Sequence, residues 1–195
     1  MMMRAAEWLT LILINKGIIG EDEKELYMFG FQTGLEFMSC LFASLTFALL
    51  TDHVVEYLVF MLVFMPVRSY TGGFHFDSFL NCFLGSCALI VLVIWMADLK
   101  LLNISLTFAG IVVLLILIGK MRPVEHENRR VSEAEEAVFH NILLKVLCCV
   151  GVGAILFYVI ESRKYLNLIF LTLLSVLISM LIGKVSQWKR KRGAE

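Results

Sequence analysis

The amino-acid sequence predicts an all-α integral membrane protein: six transmembrane helices, an amphipathic N-terminal segment before them, and both termini in the cytoplasm. Three observations lead there. First, 59% of the 195 residues are hydrophobic, 17% are charged, and the mean hydropathy is +0.84, more apolar surface than a soluble core of this length absorbs. Second, the apolar residues fall into runs near the length of about 20 residues that a bilayer core requires. Third, lysine and arginine gather on alternate sides of those runs, and the side rich in them is cytoplasmic.

In chain order, residues 1–33 alternate apolar and charged positions (Arg4, Glu7, Lys16, then EDEKE at 21–25) and read as amphipathic helix lying at the interface, too polar to span. The opening run Trp8–Ile14 leads into a lysine and an acidic cluster instead of a small-residue cleavage site, so the N-terminus is expected to be retained. Spans are then expected at 35–50, 52–67, 76–97, 101–118, 141–160 and 165–183, forming one membrane domain over 34–195. The longest polar stretch, 119–140, is a loop with a helix-start signal in Ser132 followed by Glu135. With both termini inside, 14 of the 17 Lys and Arg lie at inner ends or loops; Lys100, Arg163 and Lys164 are the exceptions. The same topology puts the loops 68–75 and 119–140 on the cytoplasmic side.

Five cysteines make no disulfide framework, because the count is odd and most sit inside apolar runs where a thiol is a small hydrophobe. Cys40, Cys148 and Cys149 are expected to pack in this way. Zero formal net charge gives no reason to expect a nucleic-acid partner. Asp52, His53 and Glu56 fall in the turn and first helical turn of the second span, where partial hydration tolerates them.

The chemistry concentrates in RSYTGGFHFDSFLNC, Arg68 to Cys82. A thiol nucleophile needs a base within hydrogen-bond reach, and His75 with Cys82 supplies both groups. On one unbroken helix their separation of seven residues places them about 10 Å apart along the axis, so the helix must not be uninterrupted if His75 is to fold back toward the helix that carries Cys82. Gly72 and Gly73 permit that break. Arg68 suits a substrate carboxylate, a developing oxyanion, or simple anchoring at the membrane boundary. Spacing alone leaves Cys82 open as a packing residue and His75 as an interfacial loop residue, with Cys87, Ser78 and Ser86 as competing nucleophiles or small packing residues. A metal site from His75, Asp77, Glu125 and His126 has no HExxH or CxxC spacing behind it, and neither a metal nor a cofactor is expected.

At these residues the chain resembles the accessory gene regulator B (AgrB) family of membrane endopeptidases in Gram-positive peptide signalling. The match is an arginine, then GGxH, then a cysteine seven residues beyond the histidine: Arg68, Gly72, Gly73, His75 and Cys82. PVEHENR at 123–129 is similar to the charged, proline-containing loop between the fourth and fifth spans of such proteins, and length and span count extend the resemblance over nearly the whole chain. Phe76 departs from the pattern, since many relatives have a small residue after the histidine.

The resemblance implies His75 as catalytic base and Cys82 as nucleophile, with Arg68, Gly72 and Gly73 in support. The implied task is to cut an AgrD-type precursor peptide, hold its N-terminal part as a thioester, and let an internal thiol or hydroxyl close the ring. The implied location is the cell membrane of a Gram-positive bacterium, with the site facing the cytoplasm. The lipid bilayer and the precursor are the expected partners, the amphipathic N-terminal segment is either a docking place for the latter or simply an anchor for the first span, and a homodimer is allowed. The rival from another class is a non-enzymatic exporter subunit or scaffold, in which the glycine pair is a tight turn.

Overall fold

The computed structural model describes residues 2–72, 79–99, 103–121 and 133–193. Among them are seven α-helices and no strand: α1 (Met2–Asn15), α2 (Lys24–Leu50), α3 (Val54–Thr71), α4 (Phe79–Ala97), α5 (Ile104–Lys120), α6 (Glu133–Val159) and α7 (Arg163–Gly193), with a 3-10 turn at Glu21–Glu23. Five stretches are long and apolar enough to cross a membrane: Glu21–Leu50, Val54–Thr71, Leu80–Ala97, Ala137–Val159 and Arg163–Ser186. The expected fourth span corresponds to α5, which is apolar but shorter at 17 residues. These helices are consistent with a multi-pass membrane protein.

The chain divides into two units, Met1–Asp52 with Asp77–Ala88, and His53–Phe76 with Leu89–Glu195. In the first, α1 ends where Gly17 takes φ +66° and the chain closes with Ile18 N–H on the Leu13 carbonyl (3.0 Å) and Gly17 N–H on that of Ile14 (2.8 Å). This pairing satisfies carbonyls that a helix end would otherwise leave open. It turns the chain so that α1 packs along α2 with Ala6 and Thr10 fully buried, while Trp8 stays 63% exposed on the other face. Thr10 donates its hydroxyl to the Ala6 carbonyl, which satisfies the buried group within α1. The expected interfacial segment is thus α1 plus a turn, and from Lys24 onward its residues are continuous with the first span.

The second unit holds the main apolar core, built by Val63 and Val67 of α3, Ile111, Leu114 and Ile118 of α5, Leu143, Leu147 and Val150 of α6, and Leu166, Leu173, Val176 and Met180 of α7. The spacing of three and four residues within each helix puts these side chains on one face. Close approach of α5 to α7 depends on Gly110, where a Cβ would stand 2.7 Å from the Phe170 ring.

A polar network ties the same unit together at the start of α7. Lys164 Nζ lies 2.7 Å from Glu56 Oε1 and 3.1 Å from Asp98 Oδ1. Asn167, 3% exposed, donates from Nδ2 to the carbonyls of Ala97 (3.3 Å) and Leu99 (3.0 Å) and accepts from the Thr107 hydroxyl (3.2 Å). Glu56 is therefore not a hydrated residue of a helical first turn, as its sequence position suggests. It is buried, and tolerated there because Lys164 pairs with it.

Candidate active site

α3 carries the first part of the motif. It stops at Thr71 because Gly72 takes φ +63° and ψ −156°, a backbone region open essentially to glycine alone. Gly72 still donates its N–H to the Arg68 carbonyl at 3.2 Å, and its own carbonyl accepts from Arg68 Nη1. The Thr71 hydroxyl bonds the Val67 carbonyl at 2.9 Å. A cation in the last turn thus closes the carbonyl end of α3, where the helix dipole favours positive charge. Tyr70, beside Arg68, meets the Phe139 ring of α6 at 6.2 Å between centroids.

α3 thus ends at Gly72, the first of the two glycines expected to interrupt the helix. Gly73, His75 and Phe76 lie outside the described residues, as do Asp77, Ser78, Glu125, His126, the stretch 123–129 and Ser132. Hence the pairing of His75 with Cys82, and the metal alternative, fall on residues about which no geometry is given.

Cys82 is half-buried on α4 and belongs to the first unit, where it shares a face with Phe83, Ser86 and Cys87; Asn81 before it and Leu84 and Gly85 between them are exposed. Cys40 of α2 lies near that face, close enough to interact with Cys87 and Ser86 and, more weakly, with Cys82. Cys40 lies where α2 meets the helix of the candidate nucleophile. Cys148 and Cys149 lie exposed on α6, in the other unit.

Sequence reasoning passed over the polar line that Cys40 completes. Gln32, Glu36 and Cys40 recur every four residues on the covered face of α2, and Gln32 Nε2 donates to Glu36 Oε1 at 3.0 Å. The available signal was that period of four, obscured because residues 1–33 read as an interfacial segment separate from the span.

A family model described as accessory gene regulator B (AgrB) matches residues 6–181 of the chain. No curated protein and no solved structure matches.

Proposed function

Because the chain belongs to the accessory gene regulator B family, whose members act on the AgrD precursor in autoinducer peptide processing, we propose that it is a membrane cysteine endopeptidase with Cys82 as nucleophile and His75 as base. Support comes above all from the helix stop at Gly72, which takes a glycine-only conformation between Arg68 and the GGxH sequence of a family member. A chain that leaves α3 there need not continue as helix toward His75, as a His/Cys pair seven residues apart requires.

His75 takes the Cys82 proton, and the thiolate attacks the scissile carbonyl of an AgrD-type precursor. When the tetrahedral adduct collapses, the carbon–nitrogen bond breaks and the imidazolium returns its proton to the leaving amine. The retained N-terminal part is then a thioester on Cys82. An internal thiol or hydroxyl of the peptide attacks that thioester, His75 again taking the proton, and Cys82 leaves as a thiolate that the imidazolium reprotonates. With a thiol the exchange is nearly balanced in energy, so ring closure conserves the acyl activation so long as water is kept away. Arg68 and Gly72 support the site by fixing the end of α3, and Gly73 by continuing the break.

In this proposal the chain crosses the membrane six times, α5 being the fourth crossing, with both termini and the Arg68–Cys82 segment on the cytoplasmic side. A newly made peptide meets the thiol there before it leaves the cell. The test is coexpression with a short precursor that has an amphipathic N-terminal segment, a central cysteine and an acidic tail, with products read by mass spectrometry. Wild-type protein is expected to release the tail and Cys82→Ala to insert normally but release none. Normal release by Cys82→Ala removes this function, and no release by either protein favours a non-enzymatic membrane role.

A further inference from the structure

The Cys40 contact sets the register between α2 and the part of α4 that shares its unit. Cys40 meets Ser86 and Cys87. In a chain that crosses the membrane with each successive long helix, the first and third crossings run in the same direction, so α2 and α4 are parallel; this step rests on the topology proposed above. Moving back four residues on each helix shifts the level by about 6 Å and turns each face by about 40°. From Cys40 that step leads to Glu36, and from Ser86 it leads to Cys82. Burial is compatible on both helices, although α1 also packs along α2: Gln32, Glu36 and Cys40 are half-covered while Phe37 and Met38 are exposed, and Cys82 and Ser86 are half-covered while Leu84 and Gly85 are exposed.

We propose that Glu36 is a substrate-contacting residue of the Cys82 site, and that its carboxylate accepts hydrogen bonds from backbone N–H groups of the precursor lying across the thiol. The proposal deepens the peptidase reading and depends on it. An ionisable group within a span is costly enough that it generally marks a pathway or site. A carboxylate accepts and cannot donate, and one oxygen of Glu36 is already steadied by Gln32. An extended peptide presented to Cys82 brings N–H groups into a region poor in water, where each needs an acceptor. Glu36, at the level of the thiol on the neighbouring helix, is that acceptor, and Gln32 holds its rotamer.

Two measurements test this, one of placement and one of role. In a chain with Cys40, Cys87, Cys148 and Cys149 replaced by alanine and Cys82 kept, Glu36→Cys is expected to form an intramolecular cross-link to Cys82 with a short bis-methanethiosulfonate reagent, identified as linked peptides by mass spectrometry. Ser44→Cys, which antiparallel helices would bring level with Cys82, is expected not to. The reverse pattern, or no link from Glu36→Cys, overturns the placement.

For the role, a synthetic precursor with a central cysteine and an acidic tail is cleaved by the full chain in vesicles. Glu36→Ala is expected to lower kcat/KM by about tenfold or more, while Glu36→Gln, whose amide oxygen still accepts, retains part of the rate. Alkylation of Cys82 in the absence of peptide is expected to keep its wild-type rate in both variants, since the carboxylate acts on the peptide. Unchanged cleavage by Glu36→Ala, or altered alkylation of Cys82, overturns the proposal while leaving the nucleophile assignment in place. Cleavage by Cys82→Ala overturns the peptidase reading itself.

Discussion

The two ends of α3 are held in opposite ways. At its start, Glu56 is buried and bound to Lys164 of α7, which also binds Asp98 just beyond α4, so partners more than forty residues away in sequence fix the helix. At its finish, Arg68, Thr71 and Gly72 bond to one another within a single turn. A long-range ion pair in poor solvent contributes to the fold as a whole, and losing one partner leaves a charge stranded. A local cap shapes the path of the chain and is worth less to global stability. Replacements at the first end should therefore be read out in stability, and replacements at the second in chemistry.

The sharpest way to break that contrast is Gly72→Val. Valine at φ +63° and ψ −156° is strained by about 1–3 kcal/mol, and it favours continuing α3 past its present end. If a comparable energy is lost in aligning base and thiol, cleavage falls by roughly ten- to a hundredfold. Insertion is expected to be normal, and thermal stability in detergent to fall only slightly, because the chain escapes most of the strain by continuing α3 past Thr71. Cleavage at the wild-type rate would make Gly72 an ordinary turn residue and remove the break as a functional feature.

At the other end, Lys164→Met removes the cation facing Glu56 and Asp98 and leaves Glu56 buried beside an apolar side chain. A loss of about 2 kcal/mol is expected, below the range for fully buried pairs because Lys164 and Asp98 are partly exposed. It should appear as a lower apparent Tm by size-exclusion fluorescence. Glu56→Gln in the same chain should recover part of the loss, since the stranded charge is then gone. Lower cleavage by Lys164→Met at unchanged stability would contradict the division of labour between the two ends.

Much of the fold was legible because membrane spans are written in composition: five of the expected spans overlap stretches long and apolar enough to cross, and α5 coincides with the fourth. The start of α2 was not, because Arg4, Glu7, Lys16 and the charged run EDEKE at 21–25 made residues 1–33 look interfacial, although from Lys24 the chain continues as one helix to Leu50. An interruption at the glycine pair was expected from the chemistry required of a His/Cys pair; Gly72 ends α3 at positive φ, and the stretch from 73 to 78 that carries His75 lies outside the described residues. The partners of Glu56 and Cys40 could not be read from the chain, since Lys164 and Ser86 become neighbours only through packing of helices distant in sequence. A single sequence shows that an acid sits in a span, but not which cation reaches it.

The smallest effect concerns the turn that leads into Lys164. α1 and α6 end in the same way: Ile18 N–H reaches the Leu13 carbonyl and Gly17 N–H that of Ile14, just as Ser162 N–H reaches the Phe157 carbonyl (2.9 Å) and Glu161 N–H that of Tyr158 (3.1 Å). The residue at positive φ is glycine in the first case and glutamate, at +55°, in the second. Holding a non-glycine residue there costs about 1–2 kcal/mol, and it persists where the surroundings over-determine the backbone. The ion pairs of Lys164 and the hydrogen bonds of Asn167, three and six residues later, supply that constraint. Glu161→Gly relieves the strain but adds freedom to the unfolded chain worth about 0.4–1 kcal/mol, so a net gain of about 0.5 kcal/mol is expected. In the Lys164→Met background, where the constraint is weaker, the gain should shrink as the turn relaxes without help. An equal gain in both backgrounds would show that the strain at Glu161 is held by the turn itself and owes nothing to the ion pairs beside it.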